Sequence, residues 1–319
     1  MRLRFSLLSA EEIERMAVCR VTETTLYYRG LPASGGLLDP LMGTVDRRHL
    51  CATCQNDARD CQGHPGYMNL AFPMYHIGFI DTVVKILRIT CFCCSRLCLT
   101  EDEVASLVVT SGRTRLTAVH NAYRTRRTCP HCDMPRPTLT RIPLGIKVTW
   151  PKEVAWESDE ERDYCTAPFT ARDALSILRH VPDADMVAIG FSPLESHPMS
   201  MIVQNLVVPP PCTRPAIYSS EGSRSRGQND LTVHLLEVLK RSHEVAAFLG
   251  EGCSWTTLEV VTPELIERLN RLQYEVFMLV NNNARVAKPA GMGRNSSNTN
   301  GKSINERLKG KEGRVRGNL

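Results

Sequence analysis

Two sets of four metal-ligand residues constrain this chain more than any other feature of its sequence. Cys51-Ala-Thr-Cys54 is followed by Cys61-Gln-Gly-His64, a C-x2-C-x6-C-x2-H pattern. Each x2 pair makes a tight knuckle that aims both side chains at one metal, and four such N/S donors close a tetrahedral Zn²⁺ shell. A closed shell leaves no position for substrate or an activated water, so the zinc expected here is structural. The second set joins Cys91-Phe-Cys-Cys94 to Cys129-Pro-His-Cys132 across a long insert, as a zinc ribbon does. We take Cys91, Cys94, Cys129 and Cys132 as its ligands; Cys93, Cys98 and His131 lie close enough to compete. Otherwise Cys93 and Cys98 read as small hydrophobes of a core, as do the isolated Cys19, Cys165, Cys212 and Cys253.

Seven of the thirteen cysteines fall in knuckle spacing. The opening Met1–Ala10 has the look of a short signal peptide, but Glu11, Glu12 and Glu14 end the apolar stretch too early. Without a secretion signal, paired cysteines favour metal over disulfides, and the chain is expected to be intracellular. There is no run of 18 apolar residues, so no membrane span is expected. Stripped of metal, the stretch 45–135 would have difficulty holding its fold, because such loops bury little on their own.

At 319 residues the chain suits two domains or one module of several parts, with the composition of a folded protein. The pattern predicts a mixed α+β fold. Ser9 with Glu12 is a capping box opening a helix. Phe79, Val83, Ile86 and Leu87 recur at helical spacing and lead into Cys91, while His76 ahead of them reads as a packed core histidine. Ile146, Val148 and Trp150 alternate with Lys147 and Thr149 as a strand ended by Pro151. Thr170 with Asp173 opens a helix to about His180; Asp183 and Asp185 follow Pro182, where acids face solvent. The proline run 207–215 predicts a rigid strut. Residues 219–230 form a mobile polar loop, and Asp230 can cap a helix through Leu235 and Leu239. Thr262-Pro263-Glu264 starts another, with Leu265, Ile266, Leu269, Leu272, Val276, Phe277 and Val280 on its apolar face and Asn281-Asn-Asn283 as its end. Residues 284–303, rich in Gly, Asn and Ser, predict an adaptable loop.

Charge is concentrated at the end of the chain. Ala284–Leu319 holds nine Lys/Arg against two Glu, a net +7, whereas the whole chain is +5 and residues 1–283 are therefore −2. Lys309, Lys311, Arg314 and Arg316 stand on a backbone interrupted by Gly310, Gly313 and Gly317, a segment suited to lie along phosphates. Arg307 and Lys302 extend the same basic stretch. No GxxxxGK[ST], no GxGxxG before a helix and no HExxH occur.

These residues match a known text. Gly43-Thr-Val-Asp46, the first metal set, Gly66-Tyr-Met-Asn-Leu70-Ala71, Pro73-x-x-His76-Ile-Gly-Phe79 and Cys91-x2-Cys94 come in order. Val208-Pro-Pro-Pro211, Arg214-Pro215, Asp230-Leu-Thr232 and Arg307-Leu-Lys-Gly-Lys-Glu-Gly-Arg-Val-Arg-Gly-Asn-Leu319 follow. The series resembles the N-terminal part of the largest subunit of eukaryotic-type multisubunit DNA-directed RNA polymerases, nearest the polymerase II class, over almost the whole chain. The resemblance implies a clamp over 1–319. Residues 43–135 would be a zinc-bearing clamp head, and 136–283 a largely helical core with a lid-like loop at 219–230. Residues 284–319 would be a rudder-like loop and the start of a basic, flexible switch segment. It implies template DNA and the DNA–RNA hybrid as partners, with the second-largest subunit and the remainder of the largest, and no membrane. It also implies that Lys309, Lys311, Arg314 and Arg316 face DNA.

The sequence departs from that family in three places. Asn295-Ser-Ser-Asn-Thr-Asn300 diverges from the usual basic-apolar text, the insert between zinc knuckles is short, and the Asp-Phe-Asp-Gly-Asp loop is absent. Those carboxylates hold the Mg²⁺ of nucleotide addition, so Mg²⁺ would enter only through a part absent here, and this polypeptide alone is not expected to polymerise RNA. A second polypeptide would supply the rest, or the reading is a truncated one. The setting implied is the nucleus, or a viral factory or virion if a large DNA virus encodes the chain. The rival reading is a stand-alone zinc-dependent nucleic-acid-binding regulator or inactive paralogue. A RING ligase is disfavoured, because RING ligands interleave across two metals and the first set here is contiguous.

Overall fold

A computed structural model of the chain describes residues 6–46, 49–106, 113–123, 126–151, 166–218, 226–250, 255–256, 258, 261–282, 286–290, 292, 301–310 and 313–317. The chain forms two compact units. Ala10–Phe72 with Val203–Leu319 makes one, here the flanking unit; Met1–Ser9 with Pro73–Ile202 makes the other, the central unit. The interval 43–135 is thus shared, with 43–72 in the flanking unit and 73–135 in the central one.

The flanking unit opens with α1 (Ala10–Met16), directly after Ser9 as the capping pattern requires. A small hairpin of β1 (Tyr27–Tyr28) and β2 (Leu31–Pro32) turns at Arg29-Gly30, both at positive φ. Strand β3 (Gly66–Tyr75) buries Met68, Leu70 and Phe72 at the two-residue period of a half-buried strand. The sequence reading placed no strand here, because Gly66 and Pro73 bracket a text too short to show its alternation.

In the central unit α2 (Ile80–Ile89) buries Ile80, Val83, Val84, Ile86, Leu87 and Ile89, and it runs to Thr90, next to the first knuckle of the second cysteine set. His76 packs its ring on Phe79 at 4.8 Å between centroids and accepts the Gly78 N–H (3.1 Å). It is a packed histidine, as expected, but half-buried and not part of the core. After α3 (Glu101–Ser106) and α4 (Arg113–Tyr123), strands β4 (Thr138–Ile142), β5 (Gly145–Thr149) and β6 (Thr166–Phe169) form an antiparallel sheet in that order. Leu139 pairs with Val148, and Ile146 with Phe169. Helix α5 (Ala171–Arg179) has the full Thr170–Asp173 capping box. In α6 (Asp183–Ala188) one acid departs from the solvent-facing reading: the Asp185 carboxylate accepts the Leu97 N–H at 2.9 Å, pinning the chain just after a knuckle.

Strand β7 (Ile202–Val208) returns the chain to the flanking unit and pairs with β3. Asn69 Nδ2 donates to Asn205 Oδ1 (2.8 Å), and Asn205 Nδ2 donates to the Ala10 carbonyl (2.8 Å). Strands β8 (Ile217–Tyr218) and β9 (Arg226–Gly227) pair antiparallel at the two ends of the polar loop; its residues 219–225 lie outside the described residues. Helices α7 (Asp230–Leu249) and α8 (Pro263–Val280) pack together. Leu231, Leu235, Val238, Leu239 and Val245 meet Leu265, Leu269, Leu272, Val276 and Phe277 in the core. Each such side chain contributes about 1.5–3 kcal/mol on burial. Thr262 caps α8 as expected, but α7 is capped by Asn229, not Asp230: the Asn229 side chain accepts the Leu231 N–H (3.1 Å). This frees the Asp230 carboxylate to accept the Lys302 N–H (3.0 Å). The short helices α9 (Ile304–Leu308) and α10 (Arg314–Gly317) give the basic segment local helical order where glycine spacing alone suggested flexible backbone. Residues 293–300 of the predicted adaptable loop lie outside the described residues.

Candidate metal centres and basic segment

Three of the four x2 knuckles, those opening at Cys51, Cys91 and Cys129, share one backbone pattern. The N–H of the first cysteine donates to the carbonyl five residues on: Cys51 to Asn56 (2.9 Å), Cys91 to Arg96 (2.9 Å) and Cys129 to Met134 (3.0 Å). Its carbonyl in turn accepts the N–H four residues on, from Gln55 (3.0 Å), Ser95 (3.1 Å) and Asp133 (3.0 Å). Those three residues all adopt positive φ, near 55°, which reverses the chain. The N–H two residues on then points at the first sulfur: Thr53 to Cys51 Sγ (3.4 Å), Cys93 to Cys91 Sγ (3.4 Å) and His131 to Cys129 Sγ (3.5 Å). Such donors orient a thiolate and offset its charge, as outer-shell partners do around a bound metal.

This local folding assembles the ligand sets. The donor atoms of Cys51, Cys54, Cys61 and His64 all lie within 4.8 Å of one another, and so do those of Cys91, Cys94, Cys129 and Cys132. In the first set Cys61 Sγ is 3.9 Å from His64 Nε2, and the His64 N–H is held by the Met42 carbonyl (3.0 Å). Gly43, at φ 111°, passes so close that a Cβ there would lie 3.2 Å from Cys61 Sγ. In the second set Cys91 Sγ is 3.5 Å from Cys132 Sγ, and Cys94 Sγ is 3.8 Å from Cys129 Sγ. Burial raises the Cys91 thiol, whereas Cys132 is drawn down to about 7: burial opposes this, but the Met134 N–H and the neighbouring thiols outweigh it. Three sulfurs with one imidazole, and four sulfurs, are donor sets that could hold zinc, and their closed arrangement fits a structural ion.

The competitors separate cleanly. His131 Nε2 lies 3.0 Å from the Leu97 carbonyl, outside the sulfur cluster. Cys98 is buried as a core thiol should be, but Cys93 is exposed and stands outside the four-sulfur group. Cys212 is also exposed, with its thiol near the Gln62 carbonyl (3.5 Å), and Cys19 is half-buried; both correct the core reading. Cys165 and Cys253 lie outside the described residues.

The basic segment is tied to the N-terminus of α7. Arg307 Nη2 donates to Asn229 Oδ1 (2.6 Å), the Asn282 amide reaches the Gly301 carbonyl (2.6 Å), and Ser303 with Glu306 forms a capping box for α9. Arg307 is therefore engaged inward, while Lys302, Lys309, Arg314 and Arg316 are exposed; Lys311 lies outside the described residues. Gly310 turns at φ 91°, and a Cβ on Gly313 would collide with the Lys309 carbonyl, so this bend requires glycine. A cavity of about 1070 Å³ opens beside it, lined by Val207, Pro209, Leu231, Ile304, Arg307 and Arg314 among others.

Arg214 is the residue whose role the sequence reading missed. It is 1% exposed, with Nε on the Pro209 carbonyl (2.9 Å), Nη1 on Thr232 Oγ1 (3.1 Å) and Nη2 on the Leu37 carbonyl. Burial pulls its guanidinium down to about 10, still charged at neutral pH. The available signal was the proline run itself: its carbonyls need donors, and proline supplies none.

Comparison with known proteins agrees with this geometry. The family described as RNA polymerase Rpb1, domain 1, matches residues 1–319. The chain is 32% identical over 335 residues to the DNA-directed RNA polymerase II subunit RPB1 of Euplotoides octocarinatus, covering 100% of this chain and 66% of that protein. It is 32% identical over 327 residues to the DNA-directed RNA polymerase subunit Rpo1N of Thermococcus celer, and 34% over 327 residues to that of Methanothermobacter thermautotrophicus. Those alignments cover 99% and 100% of this chain but 34% of each relative. The chain therefore spans between about a third and two thirds of the length of these relatives. With both ligand sets, the proline run and the cationic segment in family order along its whole length, this chain belongs to the RNA polymerase Rpb1, domain 1 family.

Proposed function

We propose that this chain is the N-terminal clamp part of the largest subunit of a DNA-directed RNA polymerase, holding template DNA and the DNA–RNA hybrid during transcription. The observation that carries the reading is the exposed row Lys302, Lys309, Arg314 and Arg316 on a backbone bent at Gly310 and Gly313 and anchored to α7. Cations at a glycine bend let the backbone approach phosphates, positioning a strand without reading its sequence. Lys311 belongs to the same row by sequence, and Arg307 supports it from behind.

Zn²⁺ at both ligand sets supplies rigidity to loops that bury little, and no chemistry passes through it. Cys51, Cys54, Cys61 and His64 would hold one ion; Cys91, Cys94, Cys129 and Cys132 would hold the other. In domain terms the metal-bearing interval 43–135 is the clamp head, 136–283 the core with its lid-like loop, and 284–319 the rudder-like loop and switch segment. Nucleotide addition and its Mg²⁺ belong to carboxylates outside these 319 residues, and the remaining subunits are the partners. The location that follows is the nucleus, or a viral factory for a virus-encoded chain.

The test is the salt dependence of DNA binding. Replacing Lys309, Lys311, Arg314 and Arg316 together by Gln should reduce the slope of log affinity against log salt by about 0.9 for each duplex phosphate that is no longer neutralised. A slope identical to that of the parent chain removes these residues from the interface.

A further inference from the structure

One thiol stands at the second cysteine set with no part in holding it. Cys93 is exposed, and so is Cys132, whereas Cys91 and Cys129 are buried and Cys94 is half-buried. The Cys93 N–H donates to Cys91 Sγ (3.4 Å), which fixes its backbone within the knuckle and leaves its side chain outside the four-sulfur cluster. Cys132 Sγ lies 3.5 Å from that same Cys91 Sγ, so Cys93 and Cys132 border one buried sulfur. The exposed ligand sulfur of this set therefore has a fifth exposed thiol beside it.

We infer that Cys93 and Cys132 form an oxidant-responsive pair, which a peroxide-class oxidant converts to a disulfide with release of the metal from the second set. This rests on the zinc reading given above. The chemistry balances. The Cys132 sulfur attacks one peroxide oxygen, the O–O bond breaks, and the other oxygen leaves as water after taking a proton. The resulting sulfenic acid is attacked by the Cys93 sulfur: the S–S bond forms, the S–O bond breaks, and the Cys93 proton departs with that oxygen as a second water. The sulfurs lose two electrons and the peroxide gains both. Three sulfurs remain where four closed the shell, and a shell short of one donor holds zinc more weakly.

The first set lacks this arrangement. The position equivalent to Cys93 is Thr53, so no thiol sits between Cys51 and Cys54. Cys212 is exposed in the same unit but is directed at the Gln62 carbonyl, which makes it the natural control.

The experiment uses the full chain loaded with zinc, with metal content measured first. Hydrogen peroxide is added beside a chromophoric chelator, and disulfides are mapped by mass spectrometry after alkylation. Release of one metal from the second set, a Cys93–Cys132 disulfide and reversal by dithiothreitol are the expected results. Cys93→Ser, with unchanged metal content before oxidation, should lose the recovery of zinc binding by dithiothreitol, because without the resolving thiol the Cys132 sulfenic acid goes on to irreversible acids. Cys212→Ser should behave as the parent. Equal recovery of zinc binding by the parent and Cys93→Ser after dithiothreitol, or disulfides confined to Cys91–Cys94 or Cys129–Cys132, overturns the inference. A parent chain that holds no zinc defeats the zinc reading separately, and the disulfide map of the peroxide-treated chain still decides the pair. If Cys93→Ser does not fold, Cys93→Ala and the map of the parent decide it.

Discussion

Glu275 sits in the core of the flanking unit at 0% exposure, and both of its carboxylate oxygens lack a hydrogen-bond partner among the described residues. Burial pushes its carboxyl up from 4.5 to about 7; Glu237 adds to the rise, while Arg241 and Lys288 oppose it. The unfolded chain releases this proton near 4.5 and the folded chain near 7, so between those values the folded state binds more protons. Its contribution to stability is complete below about pH 4.5 and is lost as pH rises through 7. With about 1.36 kcal/mol per unit, the span corresponds to roughly 3 kcal/mol. Glu275→Gln keeps the shape and removes the titration, and its own unpaired amide costs about 1–3 kcal/mol at every pH. The variant should therefore be the weaker protein at about pH 5 and equal or exceed the parent at about pH 8. Urea unfolding across that range, with hydrogen exchange of α8 amides to localise the effect, reads the crossing. Parallel pH profiles for parent and variant would refute a buried protonated carboxyl.

Two further outcomes test the supports of the fold. Cys54→Ser should cost the chain about one of two zinc ions, measured by native mass spectrometry, with the central unit retaining its own ion because its four sulfurs come from other segments. Arg214→Met should destabilise the flanking unit by roughly 3–5 kcal/mol in denaturant unfolding, since the Pro209 and Leu37 carbonyls are left without a donor. A loss below about 1 kcal/mol, on the order of a surface change, would mean that these carbonyls find other partners.

Much of this protein was legible from local text. Three of the knuckles are short-range objects: hydrogen bonds spanning four and five residues shape those at Cys51, Cys91 and Cys129, so x2 spacing alone carried Cys51, Cys54, Cys91, Cys94, Cys129 and Cys132. Helix starts at Ser9, Thr170 and Thr262 were readable because a cap acts within one turn. The strand at Gly66–Tyr75 was not, since β3 is stabilised by β7, more than a hundred residues away.

What tertiary structure alone decided is where polar groups go once the chain is packed. Sequence could rank Cys93 and Cys98 only as equal thiols; packing buried Cys98 and left Cys93 exposed, with its N–H on the Cys91 sulfur that Cys132 also approaches. Asp185 became an anchor for Leu97, Arg214 a donor to Leu37 and Thr232 as well as to nearby Pro209, and Glu275 a carboxyl without hydrogen-bond partners among the described residues. The physical reason is one of range. A cap or a knuckle is closed by neighbours in the chain, whereas the cost or benefit of a buried charge depends on which remote atoms surround it.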